Sequence, residues 1–246
     1  MIIHRYERLD STNRLAAEEG APGEVFVAAE QSAGRGRLDH KWQSRAGENL
    51  LMSAVFDVAG QPPAEVATFP LVAGLAIARA VAGDSLRSSG SWGHSPYNEG
   101  GSCNVVKIKW PNDVYIDSRK VCGILCERHG DRIVVGIGLN VRQREFPEEL
   151  REKATSLALC GIEAAVEEML DRVLTELGLL YEEWRRGGFA ALHPRFAALD
   201  FLKGREVTVM RTDDDVAPAC GVCGGIAADG SLLVGDEKIF AGEVRW

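Results

Sequence analysis

"KVCGILCERHGDRIVVGIGLNV", residues 120–141, decides the fold class. Two runs rich in Val and Ile, 120–128 and 132–141, flank His129, Gly130 and Asp131. A short polar turn between two such runs reads as a β-hairpin, whose strands pair antiparallel. The pattern continues outward. "VVKIKW" (105–110) and "VYI" (114–116) are strands separated by the turn "PND". "IIHRYERL" (2–9), "EVFVAAE" (24–30) and "NLLMSAVF" (49–56) are three more. Helices sit between them. Asp10 or Ser11 can cap a helix that Gly20 closes, and Pro70 suits the first turn of a helix over 68–81. Val166, Leu170, Val173, Leu177, Leu180 and Trp184 give one apolar face to the longest helix, 163–186. Hairpin-linked strands with grouped helices predict an α+β fold with a mostly antiparallel mixed sheet.

After "ALHPRFAALD" (191–200) the composition changes to short strands with Gly and Asp-Gly turns. This predicts a larger domain over 1–198 and a small C-terminal β-barrel over 199–246. Residues 84–104, "DSLRSSGSWGHSPYNEGGSCN", read as a mobile insertion loop. It either covers a site or an interface, or is a tolerated surface insertion.

The 246-residue chain is 46% hydrophobic and 26% charged, with a net charge of −8. That mix is usual for a soluble globular protein, and the negative charge disfavours broad attraction to nucleic acid or anionic membrane. No stretch approaches the roughly 20 apolar residues that cross a bilayer. The N-terminus shows no secretory pattern, so the six cysteines at 103, 122, 126, 160, 220 and 223 read as reduced thiols of a cytoplasmic protein. Cys220 and Cys223 form a lone C-x-x-C, two small residues near a turn, since zinc needs four ligands.

Three stretches hold chemistry. In "QSAGRGRLDHKW" (31–42), glycines at 34 and 36 allow close backbone approach to an anion. Arg35 and Arg37 add guanidinium forks suited to phosphate or carboxylate. The alternatives are a solvated loop or a nucleic-acid-binding Arg-Gly segment. In "KIKWPNDVYI" (107–116), Lys107 and Lys109 share one strand face. A lysine on the covered face of a sheet needs an anion; otherwise both lysines face solvent. "GIGLN" (136–140) is neither a Rossmann fingerprint nor a P-loop; its glycines mark close approach of ligand or backbone, or sheet curvature.

Taken in order, these stretches resemble the biotin protein ligases. The match runs through "DSTN" (10–13), "QSAGRGR" (31–37) with Trp42, "KWPND" (109–113), "KVCGILCE" (120–127), "GIGLNV" (136–141) and the terminal "AGEV". It covers nearly the whole chain outside 84–104. The resemblance implies a class II synthetase-like catalytic domain with an SH3-like C-terminal barrel. It implies ATP and biotin as substrates with Mg²⁺, and biotinyl-5′-adenylate and pyrophosphate as first products. A lysine of a biotin carboxyl carrier domain then takes the biotinyl group.

By resemblance, Ser11, Thr12, Asn13 and Gln31 line the biotin site, with Arg35, Gly36, Arg37 and Lys109 beside them. Arg35, Arg37, Trp42, Asn112 and Asn140 meet the nucleotide, with Asn140 at the adenine. Lys109, Arg35 and Arg37 are the expected catalytic groups. No metal ligands are assigned. Many relatives place a glycine and an arginine where this chain has Asp39 and His40, which puts the loop's closure in question. Nothing before the first strand could enter a major groove, so a ligase that does not bind DNA is expected. Among relatives both monomers and sheet-edge homodimers occur. The rivals are a lipoate ligase, a non-catalytic binding module and an Arg-Gly nucleic-acid binder.

Overall fold

The computed structural model describes residues 1–37, 40–83, 105–211 and 216–246. Asp39 and the 84–104 insertion lie outside the described residues.

A seven-stranded sheet has the order β1-β2-β3-β7-β6-β5-β4. Its strands are β1 (Ile2–Leu9), β2 (Glu24–Gln31), β3 (Asn49–Asp57), β4 (Val106–Lys109), β5 (Asp113–Ile116), β6 (Arg119–His129) and β7 (Arg132–Asn140). All neighbours pair antiparallel except β1 and β2, which run parallel, so the sheet is mixed as expected. The hairpin of the opening stretch is its centre: β6 and β7 pair from Cys122↔Leu139 to His129↔Arg132. The parallel pair is joined through α1 (Thr12–Glu19), which Ser11 caps by accepting the Arg14 N–H and Gly20 closes. A crossover of this kind is what parallel neighbours require.

The opposite face of the sheet is covered by α2 (Pro63–Val66), α3 (Phe69–Ala82) and α4 (Val166–Ala198). Pro63–Ala82 is long and apolar enough by composition to cross a membrane, which corrects the expectation that no stretch is. The reason is packing: α3 is sandwiched between sheet and α4, so nearly every side chain in it is buried. The long helix also exceeds its expected 163–186. Sequence periodicity stops where Gly188 breaks the helix at φ +63°, but a second helical stretch continues to Ala198. Glu65 restarts it: its carboxylate accepts the Phe189 N–H at 3.0 Å, satisfying a donor the break would orphan.

Strands β8 (Glu206–Met210), β9 (Ala219–Ile226), β10 (Leu232–Val234), β11 (Glu237–Ile239) and β12 (Glu243–Arg245) form a second, antiparallel sheet of order β11-β10-β9-β8-β12. Cys220 and Cys223 lie inside β9 rather than at a turn, the first exposed and the second buried. Among the described residues no His, Cys, Asp and Glu cluster could hold a metal ion. The small sheet is tied to the large one. Trp110 Nε1 donates to Gly230 O at 3.1 Å, and Ile108 exchanges backbone hydrogen bonds with Leu199 and Phe201.

Trp184 locks α4 to α3. It is fully buried, meets Phe69 edge-on at 5.0 Å and donates to Thr68 Oγ1 at 3.1 Å. Trp184→Ala is expected to cost about 3–5 kcal/mol, read as a lowered urea midpoint.

Candidate functional site

The two faces of the sheet have different chemistry because strand side chains alternate. On β7, Val135, Ile137 and Leu139 join the helix-covered core. Gly136, Gly138 and Asn140 point the other way. A Cβ on Gly136 would lie 2.0 Å from Asn13 Oδ1, and one on Gly138 would lie 2.4 Å from the Trp42 ring. On β6, Gly123 does the same: its Cβ would come within 2.8 Å of Trp42. The glycines of "GIGLN" therefore serve close approach, and what approaches is the protein's own side chains.

This stripped face floors a cavity of about 370 Å³. Ser11, Thr12, Asn13, Gln31, Arg35, Gly36, Arg37, Trp42, Lys109, Asn112 and Asn140, the residues that the family resemblance assigns to biotin or nucleotide, line it. They converge from α1, the loop after β2, the turn after β4, and β7.

One end is neutral and polar. Gln31 Oε1 accepts from the Thr12 backbone N–H at 2.7 Å and lies 3.2 Å from its hydroxyl. Ser53 Oγ donates to Asn13 Oδ1 at 2.6 Å and lies 2.8 Å from Thr12 Oγ1. Asn13 Nδ2 donates to Leu125 O and to Glu127 Oε2, at 3.2 and 2.9 Å. All three side chains in this group from α1 and β3 are buried and hydrogen-bonded, so their orientations are held.

The other end is cationic. Arg35 forms a two-pronged contact with Glu127, at 3.0 and 3.3 Å. Arg37 reaches Asn112 Oδ1 at 3.3 Å and lies 3.5 Å from Gly242 O, both neutral acceptors. Burial lowers the pKa of Arg37, while the charges of Asp113 and Glu243 pull it back up. Lys109 is 8% exposed, with Nζ 4.4 Å above the Trp246 ring. Burial lowers its pKa first, Asp113 and Glu243 oppose that, and Lys120 and Arg37 add to it. Lys107 is not a partner: its Nζ donates to Ala198 O at 3.0 Å. Of the readings open for the two lysines, the covered-face one holds for Lys109, and Asp113 and Glu243 supply its anions.

Asn140 donates Nδ2 to Thr155 O at 2.9 Å, while its buried Oδ1 has no hydrogen-bond partner among the described residues. An acceptor of this kind suits an amino group on a ligand. The Trp42 ring packs against Gly123 and Gly138.

Sequence reasoning missed four contributors. Lys120 lines the cavity, 2.7 Å from Asp113 and 5.7 Å from the Trp42 ring centroid. Glu127 anchors Arg35. Both lie inside the opening stretch, but nothing in their spacing marks them as inward-facing. Ser53 had a signal: it is the lone hydroxyl in an apolar strand. Glu243 stands in the quoted "AGEV", but only the docking of the second sheet brings it to the cavity.

Residues 6–143 match the family model described as biotin/lipoate A/B protein ligase. The bifunctional ligase/repressor BirA of Escherichia coli (strain K12) is 30% identical over 241 residues, which span 94% of this chain and 68% of BirA. A biotin–(acetyl-CoA-carboxylase) ligase of Paracoccus denitrificans is 30% identical over 256 residues, 96% of this chain and 97% of that one. Among solved structures, the biotin protein ligase from Aquifex aeolicus in complex with biotin and ATP superposes with a TM-score of 0.80 at 27% identity. That superposition covers 99% of this chain and 97% of the other.

Gly138→Ala forces Trp42 off the sheet while leaving backbone pairing intact. A change in tryptophan fluorescence is expected, and it should vanish when the same substitution is made in a Trp42→Phe background.

Proposed function

The chain belongs to the biotin/lipoate A/B protein ligase family, and from that premise we propose which of its residues carry the reaction. It is an ATP-dependent biotin ligase, which activates biotin as biotinyl-5′-adenylate and passes the biotinyl group to a lysine of a carrier protein. The observation that carries the residue assignment is the division of one cavity into a neutral hydrogen-bonding end and a cationic end. A neutral ureido ring fits the first, and a carboxylate meeting a triphosphate fits the second.

At the neutral end, Ser11, Thr12, Asn13 and Gln31 surround the ureido ring. Ser53 and Gln31 orient the Thr12 and Asn13 groups before the substrate arrives, so little reorganisation is needed on binding. At the cationic end, Arg35, Arg37 and Lys109 offset the repulsion between the biotin carboxylate and the α-phosphate. A fixed cation aimed at developing phosphate charge stabilises the transition state more than the ground state. Lys120 is a second ammonium on the same wall, and less deeply buried than Lys109. Asn112 holds Arg37 by a side-chain hydrogen bond. Trp42 offers a flat apolar wall to the nucleotide, and Asn140 Oδ1 accepts from the adenine amino group.

Mg²⁺ accompanies the triphosphate. Asp113 and Glu243 are carboxylates in the cavity wall, and one or two carboxylates plus phosphate oxygens suit this ion. When bound, it neutralises phosphate charge. The acceptor is a carboxylase carrier domain. The acidic chain supports a cytoplasmic ligase that works without DNA. A sequence-specific shift of DNA by the purified protein overturns that last point. Sedimentation distinguishes a monomer from a homodimer paired through sheet edges.

The test is ATP–pyrophosphate exchange with biotin, with lipoate run in parallel. Exchange with biotin alone is expected; exchange with lipoate would move the specificity to the other branch of the family. Lys109→Ala should lower the exchange rate roughly 100-fold. If Lys120→Ala alone produces that loss, the catalytic lysine is Lys120. Because burial lowers the Lys109 pKa from its ordinary 10.5, the active ammonium should be lost on the alkaline side below that value. The folded chain then binds fewer protons than the unfolded one in this window. The sign follows: Lys109 penalises folding fully below its lowered pKa, and stability rises with pH from there towards 10.5.

A further inference from the structure

Glu127 stands outside the roles assigned above, yet it touches two of the groups that carry them. It sits on β6 with a side chain 25% exposed. Its Oε2 accepts from Asn13 Nδ2 at 2.9 Å and from Arg35 Nη1 at 3.3 Å, and its Oε1 accepts from Arg35 Nη2 at 3.0 Å. An isolated surface ion pair would contribute little. This one is forked, which fixes direction as well as distance, and it shares an oxygen with a buried amide.

The connections close a circuit. Gln31 and Arg35 belong to one segment of chain, and Thr12 and Asn13 are neighbours on α1. Gln31 is tied directly to Thr12. Among the described residues, Arg35 is tied to Asn13 through Glu127. Besides the backbone bonds from Ser32 and Ala33 to Leu9 O and Asp10 O, side chains thus anchor the segment at two points on the first turn of α1, and Ser53 fixes that turn from β3. Arg37 differs: its hydrogen-bond acceptors among the described residues are the neutral Asn112 and Gly242 oxygens, so its charge is not forked onto a carboxylate.

We infer that Glu127 is a positioning residue, which holds Asn13 of the neutral end and Arg35 of the cationic end in one fixed relation. The inference rests on the biotin-ligase reading of the cavity. Removing Glu127 leaves both groups present but independent. Asn13 loses one of the two acceptors of its Nδ2, keeping Leu125 O and the Ser53 bond to its Oδ1, and the Arg35 guanidinium, half exposed, loses its fork.

The experiment uses the full chain and biotin-dependent ATP–pyrophosphate exchange, comparing wild type, Glu127→Ala, Arg35→Ala and the double variant. Glu127→Ala should raise the KM for biotin about tenfold and leave the KM for ATP within about twofold. The double variant should be no worse than the more damaged single one, because two groups acting as a unit are not additive. Glu127→Gln keeps the size and one acceptor. It should fall between wild type and Glu127→Ala, and it carries the test if the alanine variant does not fold. A biotin KM unchanged in both Glu127 variants overturns the inference, as do equal rises in both KM values. So do effects of Glu127→Ala and Arg35→Ala that multiply. No biotin-dependent exchange by wild type overturns the underlying reading instead.

Discussion

The site depends on a strip of sheet without side chains. At Gly123, Gly136 and Gly138 a Cβ would come within 2.8, 2.0 and 2.4 Å of Trp42 or Asn13. Any other residue there would fill the floor of the cavity and push those two groups away. The opposite face of the same strands is packed with Val, Ile and Leu against α3 and cannot yield, because interiors at crystal-like density tolerate little displacement. A rigid apolar face and a stripped polar face on the same strands are what allow a site to be both open and fixed.

Charge follows the same economy. The chain carries −8 overall, yet Arg35, Arg37, Lys41, Lys109 and Lys120 all line one small cavity. Lys109 and Arg37 are partly stripped of water, which costs free energy, and Asp113 and Glu243 offset that cost. The two carboxylates come from opposite ends of the fold, one from β5 of the large sheet and one from β12 of the small sheet. The docking of the second sheet therefore completes the electrostatics of the first. Trp110 and Trp246 maintain that docking, the former by donating to Gly230 O and the latter by packing on Phe201 and Tyr115.

Much of this was legible in the chain. Alternation and a polar turn identified β6 and β7, and the apolar stripe identified most of α4, because both signals depend only on local periodicity. The residues around "GRGR" and "KWPND" were legible as a set through family resemblance, and Arg35, Gly36, Arg37, Lys109, Pro111, Asn112 and Asp113 among them line one cavity. What was misread has a physical cause in each case. The end of α4 was set at residue 186 because Gly188 interrupts the apolar stripe, while Glu65, far away in sequence, caps the stretch beyond it. Cys220 and Cys223 were placed near a turn, yet ladder pairing with β8 at Cys220 and with β10 at Cys223 keeps that segment extended.

The sequence by itself determined the fold class, the hairpins, the helix caps and the residue types able to meet an anion. These depend on a residue and its near neighbours. Only the tertiary structure decided which of those residues face one another. Lys107 and Lys109 share a strand, yet one ends on Ala198 O and the other over the Trp246 ring in the cavity wall. Ser53, Lys120, Glu127 and Glu243 enter the site through contacts between distant segments. Such pairings depend on which strand faces which and on how two sheets dock, and local periodicity holds no record of either.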